Sequence, residues 1–354
     1  MRSRRDVLAL SLVLTLAGEV AATVQAPRVN RPRPAPPLTS PMPPLPPATL
    51  DDTLAIGGDD VQARKVETRL SVKVHVNGRG PYYFLVDSGA DTSVVGLRIV
   101  RDLQLPLGRP AILNGMTDRN VVDRVKVDSL TFGPSIVREL ELPALREEDM
   151  GGQGIIGIDA LVRRRLMMDF EQRSIKVEDA SKPSKPIPGE IVVTAKRRRG
   201  QLILTQVKAL GLSLDAVIDT GSQVTIGNLL LRDKLVRRRH KLETVTITGV
   251  TGKSVDLQLA WIPELRIGPI SVRNLPVAFA DLPPFHVFGL SDEPALLLGT
   301  DLLETFRRVS LDFQARKVRF QLRRCATDSI VINTGARYTS TRISSTGTYE
   351  VCGR

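Results

Sequence analysis

Between residues 60 and 322 the apolar positions fall in short β-like runs rich in Val, Ile and Leu, separated by Gly, Pro, Asn and Asp. Such runs predict strands, and the separators supply turns. Tyr82–Val86 and Leu214–Ile218 are two of them, and each leads into an Asp-Ser/Thr-Gly turn and then a short apolar strand. Two stretches read as helices instead, Leu97–Leu103 and Leu229–Val236, and they follow these strands in the same order. Hairpins are expected where Ile112–Gly115 turns into Val121–Val127 and where Val245–Gly252 turns into Val255–Leu259, because glycine supplies the positive φ that tight turns need.

The pattern repeats. Tyr82–Gly96 contains Asp87-Ser-Gly-Ala90, and Leu214–Gly227 contains Asp219-Thr-Gly-Ser222. Downstream, Ile155-Ile-Gly157 is matched by Leu297-Leu-Gly299, and Asp169-Phe170 by Asp312-Phe313. Asp87 to Gly157 spans 70 positions and Asp219 to Gly299 spans 80. The shared order and spacing indicate a duplicated unit of roughly 120–130 residues, an ordinary domain size. A chain of 354 residues accommodates two such units. The expected division is a signal segment at 1–22, a Pro-rich linker at 23–60, one lobe at 61–180, a joint at 181–189, a second lobe at 190–322 and a polar tail at 323–354. Residues 27–50 hold ten prolines and should run as an extended spacer rather than pack a core. They could tether the folded part or cover a cleft.

The N-terminus reads as a targeting segment. Arg2, Arg4 and Arg5 precede the apolar stretch Val7–Ala17, with small residues before the preferred cleavage point after Ala22. The stretch is short for a membrane span. Export to the periplasm or the exterior is expected, by an ordinary or a twin-arginine route, with a membrane tether if the segment stays uncleaved. Cys325 and Cys352 are the only cysteines, and an oxidising compartment would let them pair.

The net charge is +12, with basic runs at Arg163–Arg165, Lys196–Arg199 and Arg237–Arg239. A solvated basic surface is the plain reading, and association with a membrane surface stays open. No aromatic residues interleave these runs to stack on bases, so a nucleic-acid partner is not expected. Aromatic residues make up only 4% of the chain, which leaves Val, Ile and Leu to build most of the core.

Val86-Asp87-Ser-Gly-Ala90 and Ile218-Asp219-Thr-Gly-Ser222, with the two apolar-apolar-Gly motifs, resemble the active-site signatures of retropepsin- and pepsin-type aspartic peptidases. The resemblance spans about residues 65–322. It implies a mainly β, bilobed acid-protease fold, with two retropepsin-like β-barrel lobes and a cleft between them. It also implies an aspartic endopeptidase acting on polypeptide, with Asp87 and Asp219 as catalytic dyad and no cofactor or metal. Because one chain supplies both aspartates, it should work as a monomer.

Ser88, Gly89, Ala90, Thr220, Gly221 and Ser222 are expected to support the loops, with the Ser88 and Thr220 hydroxyls bonding across the lobes. Gly115, Met116, Gly249 and Gly252 are flap candidates, in hairpins at about 114–119 and 248–253. Neither hairpin has the tyrosine of pepsin flaps. A Ser222 hydroxyl could bond a carboxylate where Ala90 could not, which would make the two acids unequal.

Other chemistries fit less well. Gly152-Gln-Gly154-Ile-Ile-Gly157 matches a dinucleotide-binding pattern, but Arg146–Met150 before it is not strand-like, and the second copy keeps only the last glycine. His75, His240 and His286 are scattered, and no Gly-x-Ser-x-Gly elbow occurs. Glu147, Glu148 and Asp149 read as a charged loop rather than a cation site. A non-catalytic peptide-binding module on the same fold is the alternative to a peptidase.

Overall fold

A computed structural model describes residues 28–36, 59–66, 69–133, 135–161, 164–180, 190–198, 200–236, 242–323 and 343–345. The expected signal segment, the 181–189 joint, both cysteines and the Arg237–Arg239 run lie outside these residues. The fold is mainly β, with two retropepsin-like barrel lobes.

Each lobe is organised around a hairpin whose second strand ends at a candidate aspartate. In lobe 1, Arg69–Val76 pairs antiparallel with Arg79–Val86, with Ser71 opposite Leu85. The turn uses Asn77 and Gly78, both at positive φ, as a twisted two-residue hairpin requires. In lobe 2, Gln201–Ala209 pairs with Leu212–Ile218, with Ile203 opposite Val217. Gly154–Ile156 then lies parallel to Arg79–Val86, and Ala295–Leu298 lies parallel to Leu212–Ile218. These added strands are continuously apolar because they are buried. The helices Leu97–Asp102 and Leu229–Leu235 occupy the two helix-like stretches. The second is capped by Asn228, whose side chain accepts from Leu231 N–H at 2.9 Å.

Beneath the lobes runs one antiparallel sheet, in the order Asp59–Val66, Ser174–Asp179, Arg164–Asp169, Arg308–Asp312, Lys317–Gln321, Glu190–Arg198. Its central pair joins the lobes. There Arg165 faces Asp312 and Arg308 faces Asp169 across the ladder. Arg165 Nε donates to Asp312 Oδ2 at 3.0 Å, and Arg308 Nε donates to Asp169 Oδ2 at 2.5 Å. The two arginines stand at the same offset before the two Asp-Phe pairs, so the duplication has produced a reciprocal pair of interlobe bridges. At Arg164 and Arg165 the basic run is therefore not a solvated surface. Arg164 and Arg165 are buried, Arg165 against the counter-charge that the other lobe supplies; Lys196 and Arg197 are exposed.

All nine phenylalanines are buried, and the Phe306 and Phe320 rings meet at 4.8 Å. Aliphatic residues dominate the rest of the core. Among the described residues no helix is long and apolar enough to cross a membrane.

The Pro-rich segment is not a free spacer throughout. Val29 packs against the main core, Asn30 N–H donates to Asp123 Oδ2 at 2.7 Å, and Arg33–Pro34 pairs antiparallel with Arg119–Val122. Proline fits here because an edge strand needs only half its backbone groups paired.

Removing one partner of a buried bridge strands the other charge, at a cost of about 3–5 kcal/mol. Asp312→Ala is expected to lose stability on that scale in urea unfolding, whereas replacing Arg165 and Asp312 together by Met and Leu should recover most of it.

Candidate active site

The site starts where two strands run out. Asp87 N–H donates to Ile156 O and Asp219 N–H to Leu298 O, each at 3.0 Å, so the strands beside the hairpins aim both loops at one point. In each loop the chain folds back on its own carboxylate. Gly89 and Ala90 N–H donate to Asp87 Oδ1 at 2.7 and 3.1 Å; Gly221 and Ser222 N–H donate to Asp219 Oδ1 at 3.0 Å each.

The loops are cross-braced. Ser88 N–H donates to Thr220 Oγ1 at 2.8 Å, and Thr220 Oγ1 donates to Val86 O at 2.8 Å. In return, Thr220 N–H donates to Ser88 Oγ at 3.2 Å, and Ser88 Oγ donates to Ile218 O at 2.8 Å. A hydroxyl group is needed at both positions because each must accept and donate at once. Gly89 and Gly221 are needed for a different reason. A Cβ on Gly89 would stand 2.5 Å from Asp219 Oδ1, and one on Gly221 would collide with Asp87 Oδ2. Each glycine thus lies against the other lobe's aspartate.

The loops bring the two carboxyl groups near each other, close enough for the charge of one to bear on the other. Asp219 is buried and Asp87 is partly open to the cleft. Burial pushes the Asp219 carboxyl up to about 7, and the charge of Asp87 adds to the rise. Burial also raises Asp87, opposed by the Gly89 and Ala90 N–H groups and by the charge of Arg69.

The expected contrast between Ser222 and Ala90 does not hold. Ser222 Oγ donates to Val224 O at 2.8 Å, a local bond two residues on. Towards Asp219 it offers only its backbone N–H, as Ala90 does towards Asp87. Any inequality between the acids has another source.

Two hairpins roof the cleft. The first joins Ala111–Asn114 to Arg119–Val122 and carries Gly115 and Met116 at its tip. The second joins Glu243–Thr248 to Ser254–Ile267 through Gly249 and Gly252, the latter at φ +83°. The tips cross. Met116 of lobe 1 packs on a lobe 2 cluster, while Val250 of lobe 2 packs on a lobe 1 cluster beside Ala90. Thr251 Oγ1 donates to Asp118 Oδ1 at 2.7 Å. Beneath them lies a cavity of about 650 Å³, with both aspartates at its floor and Leu113, Ile247, Val287 and Phe288 among its walls.

Two family matches accompany this geometry. The family described as "gag-polyprotein putative aspartyl protease" matches residues 72–163, and the family described as "Aspartyl protease" matches residues 205–302. Together they cover more than half of the chain. The chain belongs to the retropepsin-like aspartyl proteases. It carries two such domains in tandem, one around each candidate aspartate. Among curated proteins, none matches the chain significantly.

In this aspartyl protease chain a second pair of carboxylates braces the dyad loops from below. Asp159 accepts from Ser93 N–H at 2.8 Å and from Ser93 Oγ at 2.7 Å. Asp301 accepts likewise from Thr225, at 2.9 and 2.7 Å. The same hydroxyls accept from Gly157 and Gly299 N–H at 3.0 and 3.1 Å. A Cβ on Gly157 would stand 2.5 Å from the Thr92 carbonyl carbon, which explains the glycine. Burial raises both carboxyls, Asp301 to about 6. These four residues escaped the motif reading. Their signal was present: Ser93 and Thr225 each follow their aspartate by six positions, and Asp159 and Asp301 each follow their glycine by two.

The remaining sequence candidates are not among the groups at the cavity floor. His75 sits in the Arg69–Val76 strand, and His286, exposed on the short helix Pro283–Val287, bonds Asp281 at 2.6 Å. Glu147–Met150 forms a short helix at the cleft's edge, with Glu148 bonded to Arg146 and Arg98. Among the described residues no group of three or more His, Cys, Asp or Glu side chains could hold a metal.

A carboxyl raised in the folded state binds more protons there than in the unfolded chain, so its contribution to stability is full below the unfolded value and is lost as pH rises through the folded one. For Asp219 that window runs from 3.8 to about 7. Asp219→Asn should therefore melt higher than the parent at pH 8, and the difference should vanish below pH 4, as read by Tm across pH.

Proposed function

We propose that this chain is a single-chain aspartic endopeptidase in which Asp87 and Asp219 together activate a water molecule against a peptide carbonyl. The observation that carries this reading is the pair of cross-braced loops, which brings the carboxyl groups of Asp87 and Asp219 together at the floor of one cavity.

The chemistry follows from one proton shared between them. The ionised carboxylate takes a proton from water as its oxygen attacks the carbonyl carbon. The protonated carboxyl gives its proton to the carbonyl oxygen. When the tetrahedral intermediate collapses, the C–N bond breaks and the amine leaves with the proton held by the first carboxylate. One hydroxyl proton of the intermediate returns to the second, and the pair regains its starting state. No oxyanion hole is needed, because proton transfer neutralises the developing charge.

The crossed flaps suit an extended polypeptide substrate. Their strands offer backbone groups to a third strand, and their closure excludes water from the cavity. Because both aspartates come from one chain, monomeric action belongs to this reading. Export belongs to it too, supported by the Arg2–Ala22 sequence pattern, and weak attachment to an anionic membrane surface is consistent with exposed Lys196 and Arg197.

The test is a peptide-library digest from pH 3 to 8 with residues 28–354, beside Asp87→Asn and Asp219→Asn. Each substitution is expected to lower kcat by about 10²–10⁴ or more, the scale of a lost acid or base. Activity retained in either variant would refute the dyad. Peptide binding without cleavage by the folded parent would favour a binding module.

A further inference from the structure

The duplication places two different residues at one structural position. Ser71 pairs with Leu85, so continuing the same ladder sets Arg69 opposite Asp87. Ile203 pairs with Val217, so continuing that ladder sets Gln201 opposite Asp219. Both lie 18 positions before their aspartate. One is a permanent cation and the other is neutral.

Their contacts differ too. Gln201 Nε2 crosses the lobe boundary and donates to Gly89 O and to Asp91 Oδ1, each at 3.1 Å. Arg69 Nη1 stays within its own lobe and donates to Met150 O at 3.1 Å, with the guanidinium against Gly151. That places it on the wall of the cavity that holds the dyad.

The charged groups facing the dyad are unevenly distributed. Among the described residues, Arg69, Asp91, Glu148 and Asp149 line the cavity from lobe 1, and besides Asp219 lobe 2 lines it with no charged residue. Asp91 is engaged by Gln201, Glu148 by Arg146 and Arg98, and Asp149 lies 3.9 Å from Arg146. Among the described residues that line the cavity, Arg69 is the only cationic side chain.

We propose that Arg69 is a positioning residue that breaks the twofold symmetry of the dyad, keeping Asp87 ionised to take the proton of water and leaving the shared proton on Asp219 for the carbonyl oxygen. This rests on the peptidase reading for its consequence, although the placement of the proton is a property of the resting protein. Electrostatics supports it independently of the register. Arg69 lowers the proton affinity of Asp87, whereas the charge of Asp87 raises that of Asp219. An opposite charge within a few ångströms commonly shifts a carboxyl by about one to three units.

The test titrates each carboxyl alone. Carbon-13-labelled aspartate is followed by NMR in Asp219→Asn, which leaves Asp87, and in Asp87→Asn, which leaves Asp219. Arg69→Gln is expected to raise the Asp87 midpoint by about one pH unit or more and the Asp219 midpoint by less than half as much. Arg69→Lys, which keeps the charge, should restore most of the Asp87 midpoint. In otherwise unaltered protein, Arg69→Gln should move the acidic limb of the kcat/KM profile to higher pH. Equal shifts at the two aspartates, a larger shift at Asp219, or a lysine variant that behaves as the glutamine one would overturn the assignment. The titrations read proton affinity without turnover, so they decide this point even if no peptide is cleaved.

Discussion

The architecture around the cleft answers to one electrostatic constraint: two carboxyl groups are held close together where burial weakens the screening by water. Two such groups cannot both ionise cheaply, and on the proposed reading they share one proton. Left to itself the pair would separate or hydrate. The loops prevent this with four reciprocal hydrogen bonds made by Ser88 and Thr220. Gly89 and Gly221 prevent it by leaving no side chain where the opposite carboxylate must sit. Below them, Ser93 with Asp159 and Thr225 with Asp301 hold the loop bases. A continuous sheet with two interlobe ion pairs, one buried and one part-buried, fixes the lobes themselves.

Duplication explains why so many of these devices come in matched pairs, and it also shows where the halves have diverged. The reciprocal bridges, the two flaps and the two loop braces keep an approximate twofold relation. Arg69 and Gln201 do not, and neither do the elements before the apolar-Gly motifs. Lobe 1 has the acidic turn Glu147–Met150 there, whereas lobe 2 has Pro283–Val287, which presents Pro284 and Val287 to the cavity. A hydrolytic pair needs one acid and one base, and a chain carrying both halves is free to make them unequal.

Much of this was legible in the sequence because the relevant signals are local. Asp-Ser/Thr-Gly after an apolar run, glycine at hairpin tips and the repeat spacing all depend on neighbours within a few residues. The structure gathers the two aspartates with Gly115 and Gly249 around one cavity. The misses share a physical cause: they depend on partners remote in the chain or on competition between partners. Arg165 reads as one of a basic run until Asp312, from the other lobe, is placed opposite it. Ser222 could have bonded a carboxylate, but the Val224 carbonyl is closer to hand. Residues 28–36 read as spacer because proline favours extension, yet extension is also what an edge strand needs, and Asp123 anchors it.

The most direct measurement of the central claim is a proton count on the pair itself. Infrared difference spectra between the parent and the Asp87→Asn, Asp219→Asn double variant isolate these two carboxyl groups as pH rises from 3 to 9. One shared proton predicts two separated steps, the upper near pH 7, with a plateau between them at which one group is protonated and the other ionised. Two groups that ionise together near the ordinary aspartate value of 3.8 would contradict it.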